Sequence, residues 1–164
     1  MQTLLLKANS ARRLLNLWPP FWGAGIQIKS LSQDFLTCRV ELSFRWWNKN
    51  ANRSQFGGSM FAMTDPIYPL MMMGLLGPKY LVCDSSASVE FKKPGMGRLS
   101  ADFQLDHETV DAIRSELELG EKYVHNFEID VRDETGLVVA TVSRQVYMRL
   151  KRKYRTPVIE QQAA

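Results

Sequence analysis

The sequence predicts an α+β domain in which an antiparallel sheet wraps around one long central helix. The segment from Gly57 to Leu76 is apolar nearly all round, which is typical of a helix covered on every side. Segments with β-strand patterning lie before and after it. A sheet needs one covered face and this helix needs cover all round, so each supplies the surface that the other lacks.

The length and composition indicate one soluble domain. The chain has 164 residues, of which 45% are hydrophobic and 23% charged, and a second core would leave each half too small to bury its own surface. The sequence contains no window of about 18 uninterrupted apolar residues, so it predicts no membrane-spanning helix. Two cysteines are too few for a disulfide-dense secreted scaffold, and Leu4–Leu6 is too short for the core of a signal peptide. We therefore expect a cytoplasmic protein without stable membrane insertion.

An N-terminal helix is predicted from residue 3 to about residue 17. Its apolar residues can share one stripe: Leu4, Leu5, Leu14, Leu15 and Trp18. Pro19-Pro20 ends this helix, because proline lacks the backbone donor and clashes with the preceding turn. The domain is thus organised as an N-terminal helix (1–20), a core (25–150) and a basic tail (151–164).

The basic tail begins with the run Lys151–Arg155, which concentrates positive charge in a chain whose formal net charge is +4. We favour a solvated tail. The alternative is a patch for phosphates, nucleic acid or an anionic membrane surface. Because no recognised nucleic-acid-binding motif accompanies the run, we expect no nucleic-acid partner.

Two strands are predicted before the central helix and about four after it. The second strand has strict period-two alternation of apolar residues: Leu36, Cys38, Val40, Leu42 and Phe44. The first begins at Ile26, and Gln33-Asp34 is the turn between them. The later strands are predicted over Val82–Phe91, Arg98–Leu105, Lys122–Arg132 and Leu137–Leu150. A helix over Glu108–Leu119, capped by Thr109 or Asp106, connects the middle two of these.

Two prolines interrupt the central helix. Pro66 and Pro69 each remove a backbone donor and free a carbonyl one turn back, at Ala62 and Asp65. We therefore expect a kink or a tightened turn near Asp65, and we expect Gly77-Pro78 to end the helix.

Asp65 is the acid that stands out, because it lies within the most apolar stretch of the chain. Burial of a carboxylate raises its pKa, and such a group is a good general base near neutral pH. A structural role is equally consistent with the sequence, since Asp before Pro66 is a common helix start.

The pair Gly57-Gly58 begins the same helix. Free N–H groups at a helix start can stabilise an oxyanion, although a plain helix start in a tight loop explains the pair as well. Gly57 and Asp65 are eight residues apart, roughly 12 Å along a helix. One helix therefore cannot place both on one small carbonyl, whereas two antiparallel copies can. If both are catalytic, the site is shared across a twofold dimer.

Three stretches resemble one family, the hotdog-fold acyl-CoA thioesterases of the phenylacetic-acid-degradation type. Residues 50–65, from Asn50 through Phe56-Gly57-Gly58-Ser59-Met60 to Thr64-Asp65, resemble its central-helix motif. Phe91-Lys92-Lys93-Pro94, with Gly97, Leu99 and Ala101, looks like the strand after the helix. Asp133-Glu134-Thr135-Gly136-Leu137-Val138-Val139-Ala140 is similar to the last hairpin. Together they cover about residues 25 to 150. Three phrases look closest to an uncharacterised bacterial branch of that superfamily: Trp18-Pro19-Pro20-Phe21, Phe56-Gly57-Gly58-Ser59-Met60 and Ala62-Met63-Thr64-Asp65-Pro66.

The resemblance implies a five- or six-stranded sheet around the helix, and a homodimer or a dimer of dimers joined at sheet edges. It also implies hydrolysis of an acyl-CoA or acyl-carrier thioester without a cofactor or metal. Asp65 would match the acid that activates water, Gly57 the oxyanion donor, and Asn50 the loop residue that helps to shape the pocket. The expected substrate-binding residues are Phe56, Gly58, Ser59, Phe61, Ser86 and Ser88.

The sequence departs from the family at two positions. Phe56 stands where the family usually has His, which makes the pocket more apolar, and Pro66 follows Asp65. The substitution at Phe56 favours an alternative function, a non-catalytic acyl-CoA or fatty-acyl binding protein of the same fold. A third hypothesis is a structural partner that contacts anionic surfaces through its tail. Lys92, Lys93 and Arg98 could meet CoA phosphates, although a solvated edge is the simpler interpretation.

Overall fold

Two helices open the part of the chain that the structure describes. The computed structural model describes residues 7–120 and 122–155, so the predicted helix positions Leu4 and Leu5 lie outside it. Helix α1 spans Ala8–Leu17, and a second helix, α2, spans Pro19–Ala24. Pro19-Pro20 ends α1 as predicted, but it also forms the first turn of α2, where the missing N–H groups have no helical partner. Helix α2 is not among the predicted elements.

The apolar stripe predicted for α1 is only partly formed. The helix buries Ala8 and Ala11 against the domain, while Leu14 and Trp18 are exposed. The small alanine side chains let α1 lie close to β1, and the side chain of Asn16 ties the helix to the backbone N–H and carbonyl of Ile28.

The sheet has six antiparallel strands, as predicted. They are β1 (Ile26–Leu31), β2 (Thr37–Leu42), β3 (Tyr80–Phe91), β4 (Leu99–Gln104), β5 (Lys122–Arg132) and β6 (Val138–Leu150). Their order across the sheet is β1-β2-β4-β5-β6-β3, which leaves β1 and β3 at the two edges. Strand β6 pairs along its length with both β5 and β3.

The central helix is divided into α3 (Gly57–Ala62) and α4 (Ile67–Leu76). Between them the N–H groups of Thr64 and Asp65 donate to the carbonyls of Phe61 and Ala62, each at 3.2 Å and three residues back. The tightened turn expected near Asp65 is therefore confirmed. Asp65 N–H takes up the Ala62 carbonyl that Pro66 cannot bond.

Helix α4 forms the centre of the core, and six consecutive residues are buried: Ile67, Tyr68, Pro69, Leu70, Met71 and Met72. This confirms the prediction of a helix covered nearly all round. The remaining helix, α5, spans His107–Leu119, and its N-cap is Asp106, whose carboxylate accepts from Thr109 N–H at 2.6 Å.

A short 3₁₀ helix, Arg152–Tyr154, follows β6, so the first part of the predicted basic tail is folded. The Nζ of Lys151 donates to the Pro78 carbonyl at 2.6 Å, which holds the tail against the end of α4. Residues 156–164 of the tail lie outside the described residues. Within the ranges that the structure describes, no helix is long and apolar enough to span a membrane.

Replacing Gly74 with Ala is expected to destabilise the domain by about 1–3 kcal/mol, because added atoms in a packed core force their neighbours to move. Gly74 lies in α4 directly against the ring of buried Phe35, and a Cβ there would overlap the ring. The overlap outweighs the gain of about 0.5–1 kcal/mol that alanine brings to a helix. Urea denaturation measures the change. Gly23→Ala is the matched control, because a Cβ at this position would meet nothing within 4 Å. The stability of this variant should be unchanged or slightly higher.

Candidate active site

A surface cleft of about 380 Å³ lies at the start of α3. It is formed by the loop before α3, by the beginning of that helix and by the segment that follows β3. The lining residues are Asn50, Asn52, Ser54, Gln55, Gly57, Met60, Phe91, Lys92, Lys93, Pro94 and Gly95. Two predicted site residues, Asn50 and Gly57, therefore line the same cleft.

The side chain of Asn50 holds the loop in shape. Its Nδ2 donates to the Ser54 hydroxyl at 2.8 Å and to the Gln55 carbonyl at 3.2 Å. Its Oδ1 accepts from the N–H groups of Asn52 and Ser54, at 2.9 and 3.1 Å. Asn50 thus fixes the wall of the cleft with both ends of its amide.

The first turn of α3 places Gly57 at the cleft. As the first residue of a helix, Gly57 has an N–H that the helix itself does not use. Its small size matters, since a Cβ would lie 3.0 Å from the ring of Phe91. Phe56 is the N-cap residue, and its exposed ring lies directly against Gly58. An apolar ring therefore covers part of the helix start.

A second group of polar residues surrounds Arg144 of β6, whose side chain is only 1% exposed. Its Nη1 donates to Asp65 Oδ1 at 2.9 Å and to Asp84 Oδ2 at 2.5 Å. Its Nε donates to the Thr64 hydroxyl at 3.1 Å, and Nη2 donates to the Phe61 carbonyl at 2.9 Å. The guanidinium also lies 4.7 Å from the centre of the Phe61 ring. We call these five residues the Arg144 cluster.

The Arg144 cluster carries two carboxylates on one cation, and therefore a net negative charge when both are ionised. Asp84 is the more enclosed, with 21% of its side chain exposed, and its buried Oδ1 has no hydrogen-bond partner in the part of the chain that the structure describes. Burial raises the pKa of Asp84, and the charge of Asp65 acts in the same direction, while Arg144 opposes both.

Asp65 is less buried than its apolar surroundings in the sequence suggested, because 57% of its side chain is exposed. The turn between α3 and α4 carries it to the surface, so the expectation of a desolvated carboxylate does not hold in the single chain. The capping alternative is also wrong, because the N-cap of α4 is Pro66 and no side chain caps that end. Among the described residues, only Arg144 bonds the carboxylate, and only through Oδ1.

The other predicted site residues are dispersed. Ser59 is buried inside α3, and Phe61 belongs to the Arg144 cluster. A β-bulge between Asp84 and Ser86 shifts the alternation of β3 by one residue. Ser86 and Ser88 therefore pair opposite Gln145 and Ser143 and are exposed, on the sheet face away from Arg144. The structure does not bring these two serines to the cleft.

Arg144 and Asp84 are not among the predicted site residues, although the sequence of β6 contains a signal for them. Buried and more exposed positions alternate along β6, and the buried positions are Ala140, Val142, Arg144, Val146 and Met148. An arginine within an apolar period-two series indicates a buried cation, which needs an acidic partner. Asp84 opposite Val146 is the corresponding position on β3.

Replacing Arg144 with Met is expected to lower the free energy of unfolding by about 3–5 kcal/mol, since it leaves Asp84 without its cation. The double variant Arg144→Met/Asp84→Leu should recover much of that loss, because a well-packed apolar pair often replaces a buried ion pair without cost. Urea denaturation of the single and double variants measures both. Equal losses in the two would show that packing around Arg144, and not its charge, is what stabilises the fold.

The sheet, the central helix and the cleft at its start define a protein of the hotdog fold. Three solved structures share this fold with the chain at low sequence identity. A Pseudomonas aeruginosa protein described as a probable thioesterase is 19% identical with a TM-score of 0.80, covering 87% of this chain and 95% of its own. The Escherichia coli PaaI protein of the phenylacetic acid degradation operon is 17% identical with a TM-score of 0.62, and the match covers 86% of this chain and 91% of PaaI. A Haemophilus influenzae thioesterase is 12% identical with a TM-score of 0.66, and the match covers 92% of this chain and 95% of that protein.

The chain belongs to the family described as domain of unknown function DUF4442, whose model matches residues 7–148. Among curated proteins, no sequence matches this chain significantly.

Proposed function

We propose that this protein hydrolyses acyl thioesters. The observation that carries the proposal is the cleft at the start of α3, which is lined by Gly57, the first residue of that helix, together with Asn50 and two lysines. The names of the structural neighbours support the same activity, since proteins of this fold described as thioesterases include those from Pseudomonas aeruginosa and Haemophilus influenzae.

The proposed reaction is the direct attack of water on the thioester carbonyl. The water oxygen bonds to the carbonyl carbon while Asp65 takes a proton from the water. The carbonyl oxygen becomes an oxyanion that accepts a hydrogen bond from Gly57 N–H. The C–S bond then breaks and the electron pair leaves with sulfur. Because a thiol has a pKa near 8.5, the thiolate is a good leaving group and needs no strong acid beside it.

Arg144 has a positioning role in this proposal. It is held by three other residues, Asp84, Thr64 and Phe61. The bond from its Nη1 to Asp65 Oδ1 therefore orients an otherwise exposed carboxylate. Oδ2 has no hydrogen-bond partner among the described residues and is the oxygen that would take the proton.

The proposed site is shared between two copies of the chain. Asp65 does not line the cleft of its own chain, and the tightened turn separates it from Gly57. We therefore infer that Gly57 of one copy acts with Asp65 of a second copy in a homodimer, or in a dimer of dimers. The edge strand β3 carries unpaired backbone groups that can join the two sheets.

The proposed substrate is an acyl-CoA or an acyl-carrier thioester. Both carry a phosphopantetheine phosphate, and Lys92 and Lys93 line the cleft where such an anion would lie. Arg98, the third cation considered from the sequence, lies within 3.8 Å of Glu41 and 3.7 Å of Glu134. Its charge is already neutralised, so the two lysines are the better phosphate ligands.

Mixing two inactive variants tests the shared site. Asp65→Asn lacks the base, and Gly57→Pro lacks the oxyanion donor. If dimers exchange subunits, half are mixed, and each mixed dimer holds one intact site, so about a quarter of wild-type activity should return. Acyl-CoA hydrolysis measures the recovery, and a mixture of Asp65→Asn with Asp65→Ala is the control. Subunit exchange without recovered activity would rule out the shared site.

The second candidate is a non-catalytic acyl-thioester binding protein. The exposed ring of Phe56 against Gly58 favours it, because an apolar group there covers the helix start without offering a polar contact. Calorimetry that detects acyl-CoA binding, together with no thiol release from any acyl-CoA of a panel, would support this candidate over hydrolysis.

A further inference from the structure

All four tryptophans of the chain are exposed in one region. Trp18 is the N-cap of α2, Trp22 lies within that helix, and Trp46 and Trp47 follow β2, with exposed fractions between 44% and 82%. The indole Nε1–H of Trp47 donates to the Gly23 carbonyl at 3.2 Å, which joins the two segments. Trp22 and Trp47 also line one shallow cavity of about 380 Å³. We call these four residues the tryptophan patch.

Two cations lie at the tryptophan patch. The guanidinium of Arg45 lies 5.1 Å from the centre of the Trp47 ring, and Lys49 Nζ lies 4.3 Å from the centre of the Phe44 ring. Residues 1–53 contain eight Lys and Arg against two Asp and Glu, a net charge of +6. Residues 54–164 contain thirteen Lys and Arg against fifteen Asp and Glu, a net charge of −2. The excess positive charge of the chain therefore lies in the part of the sequence that contains the four tryptophans.

We infer that the tryptophan patch docks this protein on the surface of an anionic lipid bilayer. Indole rings favour the boundary between water and lipid, where their apolar body is covered and their N–H remains hydrated. Each Lys or Arg near an anionic bilayer adds attraction, so Arg45 and Lys49 strengthen the same contact. This docking is peripheral, at the depth of the headgroups, and involves no spanning segment.

Two other occupants fit the patch less well. A nucleotide in the cavity would stack on Trp22 and Trp47 beside Arg45, but Trp18 and Trp46 do not line that cavity. Trp46 is the most exposed of the four. A second copy of this chain on a twofold axis would bring the surrounding positive charges against their own copies, which is unfavourable. A flat anionic surface needs no cavity, can meet the exposed rings that lie outside it, and is attracted by those charges.

Vesicle sedimentation and indole emission of the full-length protein test the inference without any substrate. Vesicles of phosphatidylcholine with phosphatidylglycerol should bind the protein and shift its emission to shorter wavelength, whereas vesicles of phosphatidylcholine alone should bind it far more weakly. Because every tryptophan lies in the patch, the emission reports on the patch alone. Added salt should weaken the binding.

Two variants separate the aromatic and electrostatic contributions. Trp22→Ser/Trp46→Ser removes the two most exposed rings of the patch and should weaken vesicle binding at least about tenfold. Arg45→Gln should weaken binding to the anionic vesicles about fivefold. The matched controls are Leu119→Ser and Lys122→Gln, an exposed leucine and an exposed lysine at the other side of the fold, and both should bind like wild type.

Four results would overturn the inference. They are no binding of wild type to anionic vesicles at low salt, unchanged binding of the double tryptophan variant, an emission shift on addition of free CoA, and a change of oligomeric state in that variant. The third would assign the patch to a nucleotide, and the fourth to a second copy of the chain.

Discussion

Replacing Asp65 with Asn is expected to lower kcat for thioester hydrolysis by about 10²- to 10⁴-fold, the usual contribution of a general base. Asparagine has the same size and keeps an oxygen that can accept the hydrogen bond from Arg144 Nη1, so the turn should be preserved. It cannot take a proton from water. Steady-state hydrolysis of a panel of acyl-CoAs by both proteins measures the loss.

KM should change little in this variant. In the proposed site Lys92 and Lys93 hold the substrate phosphate, while Asp65 of the second copy contacts the attacking water, so substrate binding depends little on its charge. A loss confined to kcat indicates an interaction made only in the transition state. A rise in KM with unchanged kcat would assign Asp65 to substrate binding instead.

Asp84→Asn is the matched control, because Asp84 is the other carboxylate on the same guanidinium nitrogen. If Asp65 is the base, this variant retains most of the activity. Activity lost in Asp84→Asn and kept in Asp65→Asn would assign proton transfer to Asp84, the more buried of the two acids. Wild-type rates on every substrate in Asp65→Asn would remove the catalytic role of Asp65 altogether.

The strands and the division of the central helix were predictable because they depend on local rules. Period-two alternation placed β2 and β6 within one or two residues of their observed ends, and the missing donor of Pro66 placed the turn at residues 63–66. Asp106 as the cap of α5 follows from the same kind of local preference. Each of these features is decided within a few residues of the chain.

The Arg144 cluster was not predictable in the same way, because its members come from distant parts of the sequence. Asp65 and Asp84 meet on Arg144 only after β3 and β6 pair at the edge of the sheet. The apolar neighbours of Asp65 in the sequence suggested burial, but tertiary structure decides exposure, and the turn directs this side chain outward. The face on which Ser86 and Ser88 lie depends on a bulge that period-two counting cannot see.

The sequence also placed Gly57 and Asp65 too far apart for one chain to use both. The structure adds the physical reason for their separation, since the tightened turn ends α3 before Asp65 and the carboxylate points to Arg144. The two groups therefore belong to different surfaces of the chain. A second copy is the simplest way to bring such surfaces together in one catalytic site.

Replacing Gly57 with Pro is expected to lower kcat by about 10²- to 10³-fold, because proline removes the N–H that would hold the oxyanion. The site tolerates proline in its backbone. Gly57 is the first residue of α3, a position that proline favours, and the preceding Phe56 has ψ 124°, the extended conformation that residues before proline adopt. Hydrolysis rates, with circular dichroism to verify the fold, measure the effect.

Gly57→Ala separates the lost donor from crowding. Alanine keeps the N–H but adds a Cβ that would lie 3.0 Å from the Phe91 ring, a contact that proline makes as well. That ring is half exposed and can move, so Gly57→Ala should affect mainly KM and keep most of kcat. An equal loss of kcat in the alanine and proline variants, relieved in both by Phe91→Leu, would show that space beside Phe91 limits the reaction. A loss confined to proline assigns the oxyanion contact to the backbone of Gly57.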